Sequence, residues 1–93
     1  MVKPLLKTEK YKCYLCGRTT PTEKHHIFGG ANRRWSENYG LYVYLCHFCH
    51  NEPPIGVHFN KTVRERLQAT AQRAFEDEYS HEEFIEIFGR NYL

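Results

Sequence analysis

The sequence predicts a small α+β domain: a short antiparallel hairpin framed by two cysteine knuckles, with two α-helices after it. Three observations carry this. Cys13-Tyr-Leu-Cys16 and Cys46-His-Phe-Cys49 are two C-x-x-C pairs with 29 residues between them. Residues 39–45 are rich in β-formers, with Leu41, Val43 and Leu45 alternating against Gly40, Tyr42 and Tyr44. Beyond residue 61, apolar side chains recur at helical spacing. The chain has 93 residues, too few for two independent cores. It is read as one domain, residues 1–93, with a basic arm over 1–10, a knuckle-and-hairpin segment over 11–60 and a helical tail over 61–93.

The elements follow in chain order. The arm is basic and expected to be irregular or briefly extended. The first knuckle spans 11–18, where Gly17 after Cys16 suits a turn that needs positive φ. A turn with Pro21 leads to a strand at residues 25–28. Residues 29–34, Gly-Gly-Ala-Asn-Arg-Arg, read as a flexible basic loop. The strand over 39–45 would pair back on the first. A short helix should open at Cys49 and break at Pro53-Pro54. In the tail, Val63, Leu67, Ala71, Ala74 and Phe75 share one helical face, with Thr62 or Asn60 as its N-cap. The second tail helix should start at Ser80, with Glu83 as capping-box partner and Tyr79 and Phe84 as hydrophobic staple, and stop at Gly89.

Composition excludes several classes. With 41% hydrophobic and 26% charged residues, the chain is not a disordered tail. No apolar run approaches the roughly 18 residues of a membrane span, and no apolar signal-peptide core is visible, so no membrane partner is expected. Net charge is only +2, but it is unevenly spread. Residues 1–64 hold ten Lys/Arg against four Asp/Glu, and residues 65–93 hold three against seven. A basic front suits a polyanion such as DNA, or is simply solvated charge.

Two C-x-x-C turns offer four sulfurs for a tetrahedral Cys₄ site of the kind structural Zn²⁺ prefers. Cys13, Cys16, Cys46 and Cys49 are therefore expected to hold zinc; two disulfides are the rival pairing, disfavoured without a secretion signal. Bound zinc would supply folding free energy that a short core lacks. Four of the six histidines lie in or beside this framework: His25, His26, His50 and His58. Neighbouring strand residues point to opposite sides, so His25 and His26 suit two jobs, one a metal ligand and the other a proton acceptor. His47 and His81 are expected at the surface.

The strings CYLCGRTTPTEKHHIFGG, NYGLYVYLCHFCHN and GVH, in this order over residues 11–58, resemble the HNH endonucleases, also called ββα-metal or His-Me finger nucleases. The variant resembled is the small phage or prophage type with a zinc knuckle on each side of the motif. The tail FEDEYSHEEFIEIFGRNYL is similar to theirs as well, in a less motif-like way. The resemblance implies a ββα-metal core and metal-dependent hydrolysis of DNA phosphodiester bonds. His26 would be the general base that activates water. His25, His50 and His58 would hold the catalytic divalent ion, Mg²⁺, Mn²⁺, Ni²⁺ or Zn²⁺. This chain departs from the family at two points. Where the last ligand often stands four residues after the helix histidine, it has Pro54, so either the chain turns back to deliver His58 or water takes that place. Where an Asn often orients the base, it has Leu41, and Asn38 is the substitute.

Arg18, Lys24, Arg33 and Arg34 would contact DNA phosphates, or are plain surface charge. No small-molecule cofactor is implied. The helical tail suits a protein partner, for example in phage DNA packaging, and the location implied is the cytoplasm, that of the bacterial host for a phage-encoded chain. The alternative is a non-catalytic, zinc-stabilised DNA-binding or packaging module.

Overall fold

The computed structural model describes residues 3–93. Within them the chain is a small α+β fold: a two-stranded antiparallel sheet and four α-helices. Strand β1 is Glu23–His26 and strand β2 is Tyr42–Leu45, paired with Glu23 opposite Leu45 and His26 opposite Tyr42. Between them lie a 3₁₀ turn, Gly30–Asn32, and helix α1, Arg33–Asn38. Helix α2, His47–Asn51, follows β2. Helices α3, Lys61–Glu78, and α4, His81–Phe88, form the tail. No helix among the described residues is long and apolar enough to cross a membrane.

The first strand sits two residues earlier than the sequence suggests. Ile27 and Phe28, read as strand, lie past the end of β1 and enter the core, Ile27 keeping one backbone bond to the Leu41 carbonyl. Phe28 is drawn in by the tail: its ring lies 5.5 Å from Phe84, 4.8 Å from Phe88 and 4.9 Å from Tyr92. The expected flexible loop at 29–34 is instead the 3₁₀ turn and the first residues of α1. Two bonds fix it: buried Ser36 Oγ accepts the Phe28 N–H at 2.9 Å, and Asn32 Nδ2 donates to the Phe88 carbonyl at 3.2 Å. The second strand begins at Tyr42 rather than 39. Tyr39 and Gly40 still bond back to α1, and Gly40 turns the chain with φ 71° against the backbone of Lys3 and Leu5.

The basic arm is not free. Leu5 N–H bonds to the Gly40 carbonyl, Leu6 is buried, and Thr8 Oγ1 accepts the Tyr44 N–H at 2.9 Å. Met1 and Val2, part of that arm, lie outside the described residues. The arm and first knuckle thus lie against β2, whose Val43 and Leu45 are wholly buried.

The tail helices form where apolar spacing and caps agree. Asn60 rather than Thr62 caps α3, accepting the Val63 N–H at 3.0 Å. Ser80 Oγ accepts the Glu83 N–H at 3.0 Å, and Gly89 ends α4 with φ 75°. Tyr79 does not act as the expected staple on Phe84. Its ring packs 4.7 Å from Phe75 and 5.3 Å from Tyr39, so it joins α3 to α1. Buried Gln72 ties down the C-terminal residues, donating to Asn91 Oδ1 and accepting the Tyr92 N–H.

Phe75, Phe84, Phe88 and Phe28 form the aromatic centre of the core. Phe84→Ala should therefore destabilise the fold by about 3–5 kcal/mol, the cost of emptying an aromatic site. Chemical denaturation of the zinc-loaded protein checks this; a midpoint unchanged from wild type would contradict it.

Candidate metal centres

The four cysteines converge. Their sulfurs all lie within 4.8 Å of one another, and Cys16 Sγ is 3.8 Å from Cys46 Sγ. Sulfurs about 2.3 Å from a tetrahedral zinc stand about 3.8 Å apart, whereas a disulfide needs about 2.05 Å. All four are free thiols. Gly17, at φ 77°, bends the first knuckle so that its N–H reaches the Cys13 carbonyl, and the Cys13 N–H meets the Arg18 carbonyl. Burial alone would raise the Cys13 thiol, but backbone N–H groups, from Cys16 first, outweigh it and hold it at about 6. Burial and the neighbouring sulfurs push Cys49 up. Four thiolates this close repel one another unless a dication sits among them. The set can hold a structural metal such as zinc.

A second group lies on the other side of α2. His25, His50 and His58 each offer a ring nitrogen within 4.8 Å of the others. Strand alternation turns His25 inward, where it is buried. His50 comes from α2. His58 comes from the segment after it, which folds back over the helix. Gly56 N–H bonds to the Glu52 carbonyl, Val57 N–H to Cys49 and His58 N–H to His50. Arg64 of α3 donates to the Val57 carbonyl at 3.2 Å and steadies that return. Pro54 therefore stands within the turn that brings His58 to His50.

The ring centroids are 5.1 Å apart for His25 and His50, 5.2 Å for His25 and His58, and 4.7 Å for His50 and His58. His50 Nε2 is 3.0 Å from His58 Nε2. Two nitrogens about 2.1 Å from one ion stand about 3.0 Å apart in octahedral and about 3.4 Å apart in tetrahedral geometry. His25 Nε2 is buried with no hydrogen-bond partner, a cost that native interiors rarely carry. Burial, then the charges of His50, His58 and His26, push the His25 pKa down to about 3. A neutral imidazole with an unused nitrogen near two others is a set that could hold a metal ion.

Glu23 completes this group. Its Oε1 accepts from His50 Nδ1 at 2.8 Å and from Asn51 Nδ2 at 2.8 Å. Hydrogen bonding to His50, with lesser help from His47, holds the Glu23 carboxyl below its usual range. An ionised carboxylate only accepts, so His50 carries its proton on Nδ1 and leaves Nε2 free to ligate. Glu23→Gln should therefore weaken binding of a second divalent ion about 10- to 100-fold. Calorimetric titration of zinc-loaded protein with Mn²⁺ would measure it; equal affinity would show that Glu23 plays no such part.

His26, the other half of the pair, has different partners. Its Nε2 is 2.7 Å from Glu37 Oε1, and Arg33 Nε donates to its Nδ1 at 3.4 Å. Lys24 Nζ reaches the same carboxylate at 2.9 Å. His26 and then Lys24 hold the Glu37 carboxyl below its usual range. The tautomer follows: Nε2 donates to Glu37, and Nδ1 carries the lone pair. A cavity of about 250 Å³ is lined by Lys24, His25, His26, Gly29, Arg33, His50 and His58. A neighbouring one of about 420 Å³ is lined by His26, Arg33, Arg34 and Glu37 among others.

Asn38 does not orient His26. It ends α1, and the hydrogen bonds to the His26 ring come from Glu37 and Arg33. With 29–34 read as loop, nothing in the sequence showed that a helix presents Glu37 to the strand. Glu23 was missed too, although it precedes His25 by two, and strand residues two apart share a face. Arg33 and Arg34 border the cavities, and the Arg34 guanidinium lies 4.6 Å from the Trp35 ring. Arg18 belongs elsewhere, over the Phe48 ring of the second knuckle at 5.7 Å. His47 and His81 are solvent-facing and hydrogen-bonded to glutamates.

Compared with protein-family models, curated proteins and solved structures, the chain matches none.

Proposed function

We propose that this chain is a metal-dependent endonuclease of the HNH, or ββα-metal, kind that hydrolyses DNA phosphodiester bonds. One observation carries the reading: a histidine with its base nitrogen defined by a carboxylate shares one cavity with a three-histidine metal-ligand set. His25, His50 and His58 would hold a divalent ion, which when bound supplies Lewis-acid stabilisation of charge on the phosphate and the leaving oxygen. Imidazole donors suit Mn²⁺, Ni²⁺ or Zn²⁺ better than Mg²⁺, which would keep mostly water and phosphate oxygens.

His26 does the proton chemistry. Arg33, which donates to the His26 Nδ1 in this structure, would turn to a phosphate and free that nitrogen, which takes a proton from water as that oxygen bonds to phosphorus and the bond to the 3′-oxygen breaks. Glu37 accepts from Nε2–H throughout and stabilises the imidazolium that forms. Arg33, Arg34 and Lys24 meet the negative charge of the strand around the cavity. A zinc-stapled DNA-binding or packaging module without catalysis needs only the four cysteines and a basic face. It gives no role to a buried histidine nitrogen aimed at two others.

Supercoiled plasmid incubated with zinc-loaded protein and added Mg²⁺, Mn²⁺, Ni²⁺ or Zn²⁺ tests the proposal. The expected result is conversion to nicked or linear DNA bearing 5′-phosphate and 3′-hydroxyl ends. Intact plasmid with every ion would overturn it.

A further inference from the structure

The zinc knuckles carry a second surface, on the other side of α2 from the histidines. Phe48, 56% exposed, and Leu15, 40% exposed, are interior residues of the two C-x-x-C segments. The convergence of the four sulfurs brings these segments together. Tyr11, at the base of the first knuckle, is 61% exposed. Large apolar side chains at the tips of a metal-held turn contribute nothing to the core they face away from. Each aromatic here also has a cation near its face. Arg18 of the first knuckle lies 5.7 Å from the Phe48 ring of the second, and Lys10 Nζ is 5.9 Å from the Tyr11 ring.

The charge of the first-knuckle segment is mostly positive. Residues 3–22 carry five Lys/Arg against one Glu. Glu23 and Glu52, on the α2 side, are already hydrogen-bonded to His47 and His50. Protein-binding patches are depleted of lysine and have charge-poor centres. Exposed aromatics interleaved with Lys and Arg are instead how unpaired nucleic-acid strands are held: bases stack on the rings and cations track the phosphates. In a duplex the base faces are covered by their neighbours, so rings such as Tyr11 and Phe48 gain only from an unpaired strand.

We infer that the knuckle face formed by Tyr11, Leu15, Arg18 and Phe48 binds an unpaired nucleic-acid strand. Its place explains a use for it. Phe48 and His50 are two residues apart on α2, about 200° around the helix, so one short helix separates this face from the histidine cavity. If the nuclease reading holds, the preferred substrate contains a single-stranded segment. The binding surface itself does not depend on that reading.

Fluorescence anisotropy of a labelled single strand and of the matching duplex tests this, using the zinc-loaded full chain with no second ion added. Wild type should bind the single strand more tightly than the duplex. Phe48→Ala and Tyr11→Ala should each weaken single-strand binding about 5- to 100-fold, the scale of one lost stack. Phe48→Trp should restore it, and duplex binding should change less than about twofold. Equal zinc content in all variants guards against a folding effect. Single-strand binding unchanged in both alanine variants, or a wild-type preference for duplex, would overturn the inference. The two readings fail separately. An inert plasmid assay with stacking-dependent binding removes the nuclease alone; cleavage with indifferent alanine variants removes the knuckle surface alone.

Discussion

Removing zinc from the four cysteines should unfold the protein. Cys13 and Cys46 are members of the hydrophobic core as well as candidate ligands. The arm, the first knuckle and β2 meet around them, with the Tyr14 N–H on the Tyr44 carbonyl and the Cys13 N–H on Arg18. Structural zinc contributes about 10–16 kcal/mol in zinc-finger peptides, comparable to the 5–15 kcal/mol that typically separates folded from unfolded states. Chelation at neutral pH should collapse the far-ultraviolet circular dichroism signal, and added zinc should restore it. Cys13→Ser should give the same loss without chelator. Acid should act in the same direction, since protons compete with zinc for every thiolate. A cooperative thermal transition of unchanged midpoint after complete chelation would contradict a structural zinc.

His26→Ala should lower DNA cleavage about 100- to 10,000-fold, the usual worth of a general base, or about 3–5 kcal/mol of barrier. The fold should survive. His26 is not one of the buried core residues, and the Tyr42 ring centroid stands 6.2 Å from its own. Zinc content and the thermal midpoint of the variant should match wild type. Glu37→Gln should cost less, because Gln keeps a hydrogen bond to Nε2 but loses the charge that stabilises the imidazolium. Cleavage by His26→Ala at the wild-type rate would remove His26 as the base and leave the histidine group without its proposed chemistry.

The two cysteine pairs were legible because metal knuckles are local: spacing within each pair is fixed by one turn. The tail helices were legible for the same reason, with caps at Asn60 and Ser80 and a stop at Gly89 all within a few residues of the elements they bound. What failed depended on distant contacts. Phe28 reads as strand until the aromatic tail residues draw it inward. Gly29-Gly30 reads as flexible loop until Ser36 and Asn32 find partners in Phe28 and Phe88. Asn38 was named in place of the Asn that the resembled family often has near Leu41, whereas the residue bonded to His26 is its neighbour Glu37. His58 was named from the sequence, but the backbone bonds that return it to His50 were not legible there.

The chain is proposed to hold two metal ions with separate jobs, one in the cysteines and one in the histidines. Metal counting by native mass spectrometry on wild type and His50→Ala, each loaded with zinc and then Mn²⁺, tests it most directly. Wild type should carry two ions per chain, and His50→Ala should keep one, held by the cysteines in a folded protein. Two proteins that both carry a single ion would contradict the account.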